Sequence, residues 1–268
     1  MKKKMLFFTA GLLLIMSILG IIKATSSEKT ELPIELTYEV LQTKIGRHAE
    51  SKEEYKTEKN EKVVYLTFDD GPNSATSEIL DILDQFNAKA TFFMLEPEMK
   101  KSPDLVKRMI SDGHSAGLHG VTHDKDQFYQ SEQAALQEMV KAQETLYTIA
   151  GIESDLIRTP YGSIPYLTDS FREVFDQNGF KLWDWNVDSE DWNLSSGSFL
   201  DSVIAQIEKV ENNGQSPIIV LHDKTETAKQ LPPLLNYLLE NGYKPEKIDN
   251  EVEPYSFNCN DRCYSLTP

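Results

Sequence analysis

The stretch Val63-Val64-Tyr65-Leu66-Thr67-Phe68-Asp69-Asp70-Gly71-Pro72 constrains this chain more than any other. It begins as a short apolar run rich in β-formers, as a buried strand does, and ends in two adjacent carboxylates closed by a Gly-Pro breaker. Burying two carboxylates side by side costs free energy unless a positive charge accompanies them. Successive side chains of a strand point to opposite faces, so Asp69 and Asp70 serve one site only where the strand becomes a loop, and Gly71-Pro72 supplies that turn. The pair therefore points to a site working beside a metal ion.

Downstream, runs of strand length alternate with helical periodicity. A helix is expected over 76–86, where Ile79, Leu80, Ile82, Leu83 and Phe86 form one broad apolar face, and a strand over 90–95. Ser102-Pro103 has the chemistry of a helix start and Gly113 ends that helix. Residues 114–119 read as a short strand or loop, and Ser131 as the cap of a helix running to Thr148. Strands are expected over 155–158, 180–187 and 217–221, and helices over 170–177, 198–210 and 225–240. Repeated β-α alternation gives an α/β fold with a parallel sheet, open or closed into a barrel. In either case the site forms at the carboxyl ends of the strands.

The 268 residues, 40% of them hydrophobic, suffice for one large domain with appendages or two small ones. Lys2-Lys3-Lys4 precede an apolar run from Met5 to Ile22, so residues 1–25 read as an export signal or an uncleaved membrane anchor. The run is long for a cleaved signal, residues 22–26 make a poor cleavage site, and no cysteine follows that would carry a lipid. Residues 26–61 read as a polar stalk, 62–248 as the domain, and 249–268 as a tail. The domain is expected outside the cytoplasm, secreted or anchored at the cell surface, and monomeric. Cys259 and Cys263 suit a local disulfide there. The formal charge is −16, and residues 1–25 hold four lysines and no acid, so the remainder is more acidic still. Such a surface repels nucleic acid.

Polar clusters follow several of the expected strands: Asp69-Asp70, His119-Gly-Val-Thr-His123, Arg158-Thr-Pro-Tyr161-Gly162, Asp188-Ser-Glu-Asp191-Trp192 and Leu221-His222-Asp223. Two histidines four apart face one ion from a helical turn or a tight loop. One added carboxylate completes a three-ligand set with open coordination positions, as hydrolytic metal catalysis requires. Alone, a His-x3-His pair reads as one packed and one surface histidine; with a strand-terminal Asp-Asp the metal reading prevails.

In these five motifs, taken in order, the chain from about Val63 to about Ile248 resembles the polysaccharide deacetylases with a NodB-homology domain, carbohydrate esterase family 4. The resemblance implies a distorted (β/α)7 barrel. It implies that Asp69 is the general base and that Asp70, His119 and His123 hold a divalent metal, zinc or another first-row ion such as cobalt. It further implies that Arg158 orients the base, that the Tyr161 N–H stands in the oxyanion hole, and that Asp188 holds His222, the general acid. Leu221 would meet the acetyl methyl and Trp192 would wall the groove. The family usually carries Ser or Thr after the first histidine; here Gly120 replaces it and a loop-stabilising hydroxyl is missing. The implied activity is removal of N-acetyl groups from a polysaccharide, with N-acetylglucosamine of peptidoglycan first. Chitin oligomers, a biofilm glucosamine polymer, N-acetylmuramic acid and acetylated xylan are alternatives.

Other residues compete for roles. Trp183 and Trp185 lie in a strand and read as including core positions. Asp191 and Asp223 read as helix caps or loop ligands, and His48 and His114 as structural or surface groups. Gly113-His-Ser115-Ala-Gly117 matches a nucleophile elbow, and Ser115, Asp188 and His222 follow the α/β-hydrolase order. Against that serine-esterase alternative, the preceding segment reads as a helix where an elbow needs a strand. A catalytically dead carbohydrate-binding module is a third reading, and such modules typically lose the base or a ligand.

Overall fold

The computed structural model describes residues 62–193 and 198–266; segments 1–25 and 26–61, and His48 with them, lie outside the described residues. Among the described residues no helix is long and apolar enough to cross a membrane.

Among the described residues eight strands alternate with helices: β1 (Lys62–Asp69), α1 (Thr76–Gln85), β2 (Thr91–Met94), α2 (Glu96–Lys101), α3 (Pro103–Ser111), β3 (Ser115–Leu118), α4 (Lys125–Phe128), α5 (Glu132–Ala150), β4 (Leu156–Ile157), α6 (Asp169–Gln177), β5 (Lys181–Leu182), β6 (Val187–Asp188), α7 (Leu200–Asn212), β7 (Ile218–His222), α8 (Thr225–Glu240) and β8 (Tyr243–Glu246). All the pairings are parallel, in the order β5-β4-β3-β2-β1-β7-β6, with β8 on the first half of β1. The sheet's two edge strands, β5 and β6, are joined only by residues 183–186. Laid flat, seven strands would hold their outer members about 29 Å apart, yet the steps from Leu182 to Val187 span at most about 18 Å. The sheet must therefore curl into a half-barrel, the α/β architecture that the motifs imply.

The linker itself makes the turn between edges. Trp183 N–H still donates to Ile157 O on β4, whereas Asn186 N–H donates to Ile218 O on β7. That switch of partner breaks the single strand expected over 180–187 into β5 and β6. Helices α2 and α4 and strand β8 were not expected, each being too short for a periodic pattern. Ser131 caps α5, its Oγ accepting from Ala134 N–H at 3.1 Å, but Ser102 makes no side-chain cap bond.

Strand alternation sorts β1 cleanly. Val64, Leu66 and Phe68 pack outward against Ile79, Leu80 and Leu83 of α1 and Leu231, Leu234, Leu235 and Leu238 of α8. A smaller inner cluster unites Phe93, Leu156, Trp183, Ile218 and Ile248, with Tyr65, Trp185, Val252 and Tyr255 packed on it. The segment read as a tail thus packs apolar side chains on that inner cluster, and Cys259 and Cys263, further along the segment, form a disulfide.

Candidate active site

Asp69 is the last residue of β1 and is buried. Asp70 has φ 73°, so the chain turns out of the strand at Asp70 itself, before the Gly-Pro pair is reached. Gly71 answers a different need. A Cβ there would lie 1.8 Å from Asp223 Oδ2, so only glycine lets that carboxylate lie against the turn. Asp223 Oδ2 accepts from Thr76 Oγ1 at 2.5 Å, its carbonyl accepts from Asn73 Nδ2 at 2.7 Å, and its N–H donates to Asp69 O at 3.2 Å. Burial, with Asp70 and Asp69 adding to it against the Thr76 hydrogen bond, pushes the Asp223 carboxyl up to about 7. Asp223 is thereby a buried brace under the Asp-Asp turn, its carboxylate bonded to the Thr76 hydroxyl and not, as expected, to a helix-capping or loop N–H.

The turn brings Asp70 to the two histidines. Asp70 Oδ1 lies 3.5 Å from His119 Nε2 and 3.4 Å from His123 Nε2. That oxygen is buried with no hydrogen-bond partner among the described residues. His119 Nδ1 lies 2.7 Å from Arg158 O, so Nδ1 donates and the Nε2 lone pair faces Asp70. Burial, partly offset by Asp69 and Asp70, holds His119 below the usual imidazole range and keeps it neutral, as a ligand must be. Asp70, His119 and His123 offer ligand atoms all within 4.8 Å of one another, and an orphaned carboxylate oxygen between two imidazole Nε2 atoms fits a divalent cation.

His119 and His123 sit in a loop after β3, and His123 itself has φ 46°. The missing hydroxyl has a substitute from another element. Glu138 of α5 accepts from Val121 N–H at 2.8 Å, Thr122 N–H at 2.9 Å and Thr122 Oγ1 at 2.6 Å. Gly120, at φ 88°, passes so close that a Cβ would meet Glu138 Oε2 at 3.0 Å. Glu138→Ala should therefore raise the metal dissociation constant about 10- to 100-fold, measured by titration of apo-protein; unchanged affinity would show that the loop holds itself.

Arg158 follows β4 and is fully buried. Its Nη1 donates to Asp69 Oδ1 at 2.9 Å and Thr67 Oγ1 at 2.7 Å, its Nε to Trp183 O at 3.1 Å and its Nη2 to Asp184 O at 2.9 Å. The guanidinium also lies 4.3 Å from the Phe93 ring centroid and 5.5 Å from that of Trp185. Asp69 is thus oriented by one fixed charge, and Asp70 is left for the ion. Tyr161 has φ 67° and is half exposed, and its hydroxyl donates to His123 O at 2.9 Å. The loop is pinned from behind by Tyr129, whose hydroxyl lies 2.7 Å from Pro160 O and 2.9 Å from Gly162 O.

Across the pocket stands His222, in register with Asp69 on adjacent strands. Its carboxylate partner corrects the expectation from sequence: Asp191, not Asp188, holds it. Asp191 Oδ1 lies 2.6 Å from His222 Nδ1, and Oδ2 accepts from His222 N–H at 2.8 Å and Thr227 Oγ1 at 2.6 Å. Asp191 reaches β7 because the chain leaves β6 in a short 3-10 turn over Asp191–Asn193. Asp188 is already engaged, Oδ2 accepting from Trp185 Nε1 at 3.1 Å and Oδ1 from Glu190 N–H at 2.9 Å. Burial opposes charge on His222, but the Asp191 hydrogen bond and the nearby Asp69, Asp191 and Asp70 carboxylates outweigh it, so its pKa is raised. Burial likewise opposes charge on Asp191, yet its three donors hold the carboxyl below the usual range.

Leu221 requires a second correction. It is fully buried in the outer core, while Val220 lines the pocket. Side chains alternate along β7, so the apolar residue sharing the face of His222 is two positions away, not one.

The pocket measures about 480 Å³ and is lined by Asp69, Asp70, His119, His123, Tyr161, Gly162, Trp185, Asp188, Trp192, Val220, His222 and Lys224. Trp192 is 61% exposed, placed as a wall, and Trp185 forms a second wall while Trp183 is fully buried. Ser115 lies elsewhere. It opens β3 at the opposite end of the strands, its Oγ donates to Ile248 O at 2.6 Å, and it lines a separate pocket with His114. A Ser115–Asp188–His222 triad is therefore not assembled. His114 is buried, accepts from Ala90 N–H at 3.2 Å, and is held down at about 4 by burial and by Lys89.

Comparison with known proteins agrees with this geometry. The family model for polysaccharide deacetylase matches residues 56–183. A peptidoglycan-N-acetylglucosamine deacetylase of Bacillus cereus is 40% identical over 197 residues, 72% of this chain and 71% of that one. The peptidoglycan-N-acetylmuramic acid deacetylase PdaC of Bacillus subtilis is 34% identical over 188 residues, 69% of this chain and 38% of that one. The crystal structure of the polysaccharide deacetylase Bc1974 from Bacillus cereus superposes with a TM-score of 0.65 at 39% identity, covering 75% of this chain and 99% of that one. By its fold, its site and these relatives, the chain belongs to the polysaccharide deacetylase family.

Proposed function

We propose that this protein is a metal-dependent deacetylase that hydrolyses the N-acetyl group of N-acetylglucosamine in peptidoglycan, outside the cytoplasm. The observation that carries this reading is the division of labour in one pocket: an unpartnered Asp70 oxygen between two histidines, an arginine-clamped Asp69 and an aspartate-paired His222. The related Bacillus cereus deacetylase supports the polymer.

Asp70, His119 and His123 would hold zinc or another first-row divalent ion. When bound, such an ion withdraws charge from the acetyl carbonyl and lowers the pKa of a nearby water. Asp69, with one oxygen fixed by Arg158, takes the proton from the attacking water. The Tyr161 N–H donates to the developing oxyanion, a contact worth about 3 kcal/mol in comparable sites. Val220 offers an apolar surface to the acetyl methyl. His222, fixed as the Nδ1–H tautomer by Asp191, delivers a proton from Nε2 to the departing amine, which leaves poorly until protonated. Trp192 and Trp185 present aromatic faces for sugar rings.

Mass spectrometry of muropeptides after incubation tests the reading. Expected is loss of one acetyl mass from N-acetylglucosamine, abolished by a chelator and restored by zinc or cobalt. Loss from N-acetylmuramic acid alone would move the assignment to that sugar, and loss from neither would remove peptidoglycan as substrate.

A further inference from the structure

Asp184 is a fully buried carboxylate outside the pocket, to which the chemistry above assigns no role. It lies in the linker between the barrel's two edges and is hydrogen-bonded through every polar atom it has. Its carbonyl accepts from Arg158 Nη2 at 2.9 Å. Its Oδ1 accepts from Ser163 N–H at 2.9 Å, and its Oδ2 from Ser163 Oγ at 2.5 Å. The remaining partners belong to the C-terminal segment: Phe257 N–H donates to Oδ2 at 2.7 Å, and Asp184 N–H donates to Tyr255 O at 2.7 Å. One residue thus touches the arginine that orients Asp69, the loop that carries Tyr161, and the chain's last segment.

That segment is fastened at further points. Arg172 Nη2 bridges Ser163 Oγ at 3.1 Å and Phe257 O at 2.9 Å. The Phe257 ring stands edge-on to Trp185 at 5.2 Å, and Tyr264 N–H donates to Pro165 O at 2.9 Å. The Cys259–Cys263 disulfide closes the turn between these fastenings.

We propose that Asp184 is a positioning residue through which residues 254–264, closed by the disulfide, act as a strap that holds Arg158 and the 158–163 loop in working geometry. A buried carboxylate needs its donors, since an unpartnered one is costly. Among the described residues Asp184 has no lysine or arginine side chain on its carboxylate; two of its three carboxylate bonds come from Ser163 and the third from the strap. Removing the strap leaves Oδ2 one donor short and uncovers Trp185. The carboxylate then seeks water, and the backbone it carries shifts with it, moving the Arg158 and Ser163 contacts together. The metal ligands stand just after β1 and in the loop after β3, away from the strap, so their geometry is expected to persist.

The effect on catalysis rests on the deacetylase reading, so the test reads local structure as well as activity. The full chain is compared with a chain ending at Glu253, with Asp184→Asn, and with the double variant Cys259→Ser, Cys263→Ser. The measurements are metal stoichiometry, hydrogen exchange by mass spectrometry, and kcat and KM on a soluble N-acetylglucosamine oligomer, all below the melting temperature of each variant. Truncation and Asp184→Asn should each speed exchange in the peptide spanning 158–165 at least tenfold, with β1 and β7 unchanged and one metal still bound. Their kcat should fall at least tenfold, exceeding any change in KM, and the serine double variant should move the same way by less. Overturning results are exchange and kcat within twofold of the full chain, faster exchange with unchanged kcat, or loss of metal together with activity, which marks general collapse. An inactive full chain would defeat the deacetylase reading, and the exchange data would still decide whether the strap holds the loop.

Discussion

Asp69→Asn is expected to keep the metal and lose turnover, whereas Asp70→Asn is expected to lose the metal first. The two carboxylates are adjacent in sequence and differ only in what the fold puts beside them. Asp69 Oδ1 is taken by Arg158 at 2.9 Å, while Asp70 Oδ1 is unpartnered between two histidine nitrogens. Replacing Asp69 by asparagine removes the proton acceptor, and the general-base contribution is about 10²- to 10⁴-fold in rate. It also leaves the fully buried Arg158 without its counter-charge, which costs about 3–5 kcal/mol of stability when one partner of a buried pair is lost. Activity must therefore be measured well below the variant's melting temperature. Asp70→Asn substitutes a neutral oxygen for the anionic one, so metal titration should show weakened binding, and excess metal should restore part of the activity. If Asp69→Asn instead empties the site, the base and ligand roles are exchanged.

Much of this arrangement could be read from residue order, because strand periodicity is rigid. Asp69 and His222 were placed at strand ends by their positions after apolar runs, and the β-α alternation determined which end of the sheet would gather them. The same periodicity, applied one step further, selects Val220 over Leu221 as the pocket residue, since positions two apart share a face. The partner of His222 was different in kind. Asp188 and Asp191 both come after the strand expected over 180–187, and which of them reaches β7 depends on the 3-10 turn after β6, where no alternation rule applies. Glu138 and Asp184 carry no local signal at all. Glu138 lies on a partly buried flank of a long helix, and its three bonds to the histidine loop exist only after α5 packs. Asp184 reads as one acid between two tryptophans; its partners at 158, 163, 255 and 257 are brought together by closure of the barrel. Residues whose task is set by their own element were legible, and those whose task is to hold another element were not.

The Asp191–His222 pair gives the second large effect, and its pH dependence separates it from Asp188. His222 must be protonated to deliver a proton, so activity falls as pH rises through its pKa. Burial pulls that pKa down, but the hydrogen bond to Asp191 and the surrounding carboxylates raise it, so in the unaltered protein the alkaline limb of the kcat profile should lie above the ordinary imidazole range. Asp191→Asn keeps an oxygen for the Nδ1–H and removes the charge. The alkaline limb should therefore move to lower pH, and above it the rate should lose much of the roughly 10²- to 10⁴-fold that general acid catalysis supplies. Asparagine also turns an NH₂ toward donors that Asp191 Oδ2 now accepts, from His222 N–H and Thr227 Oγ1, so some loss of stability accompanies the change. Asp188→Asn touches neither bond of the imidazole. Its Oδ2 steadies Trp185 and its Oδ1 a turn at Glu190, so the expected result is a weaker KM with the alkaline limb in place. An alkaline limb that moves with Asp188→Asn and stays with Asp191→Asn would return the histidine to Asp188.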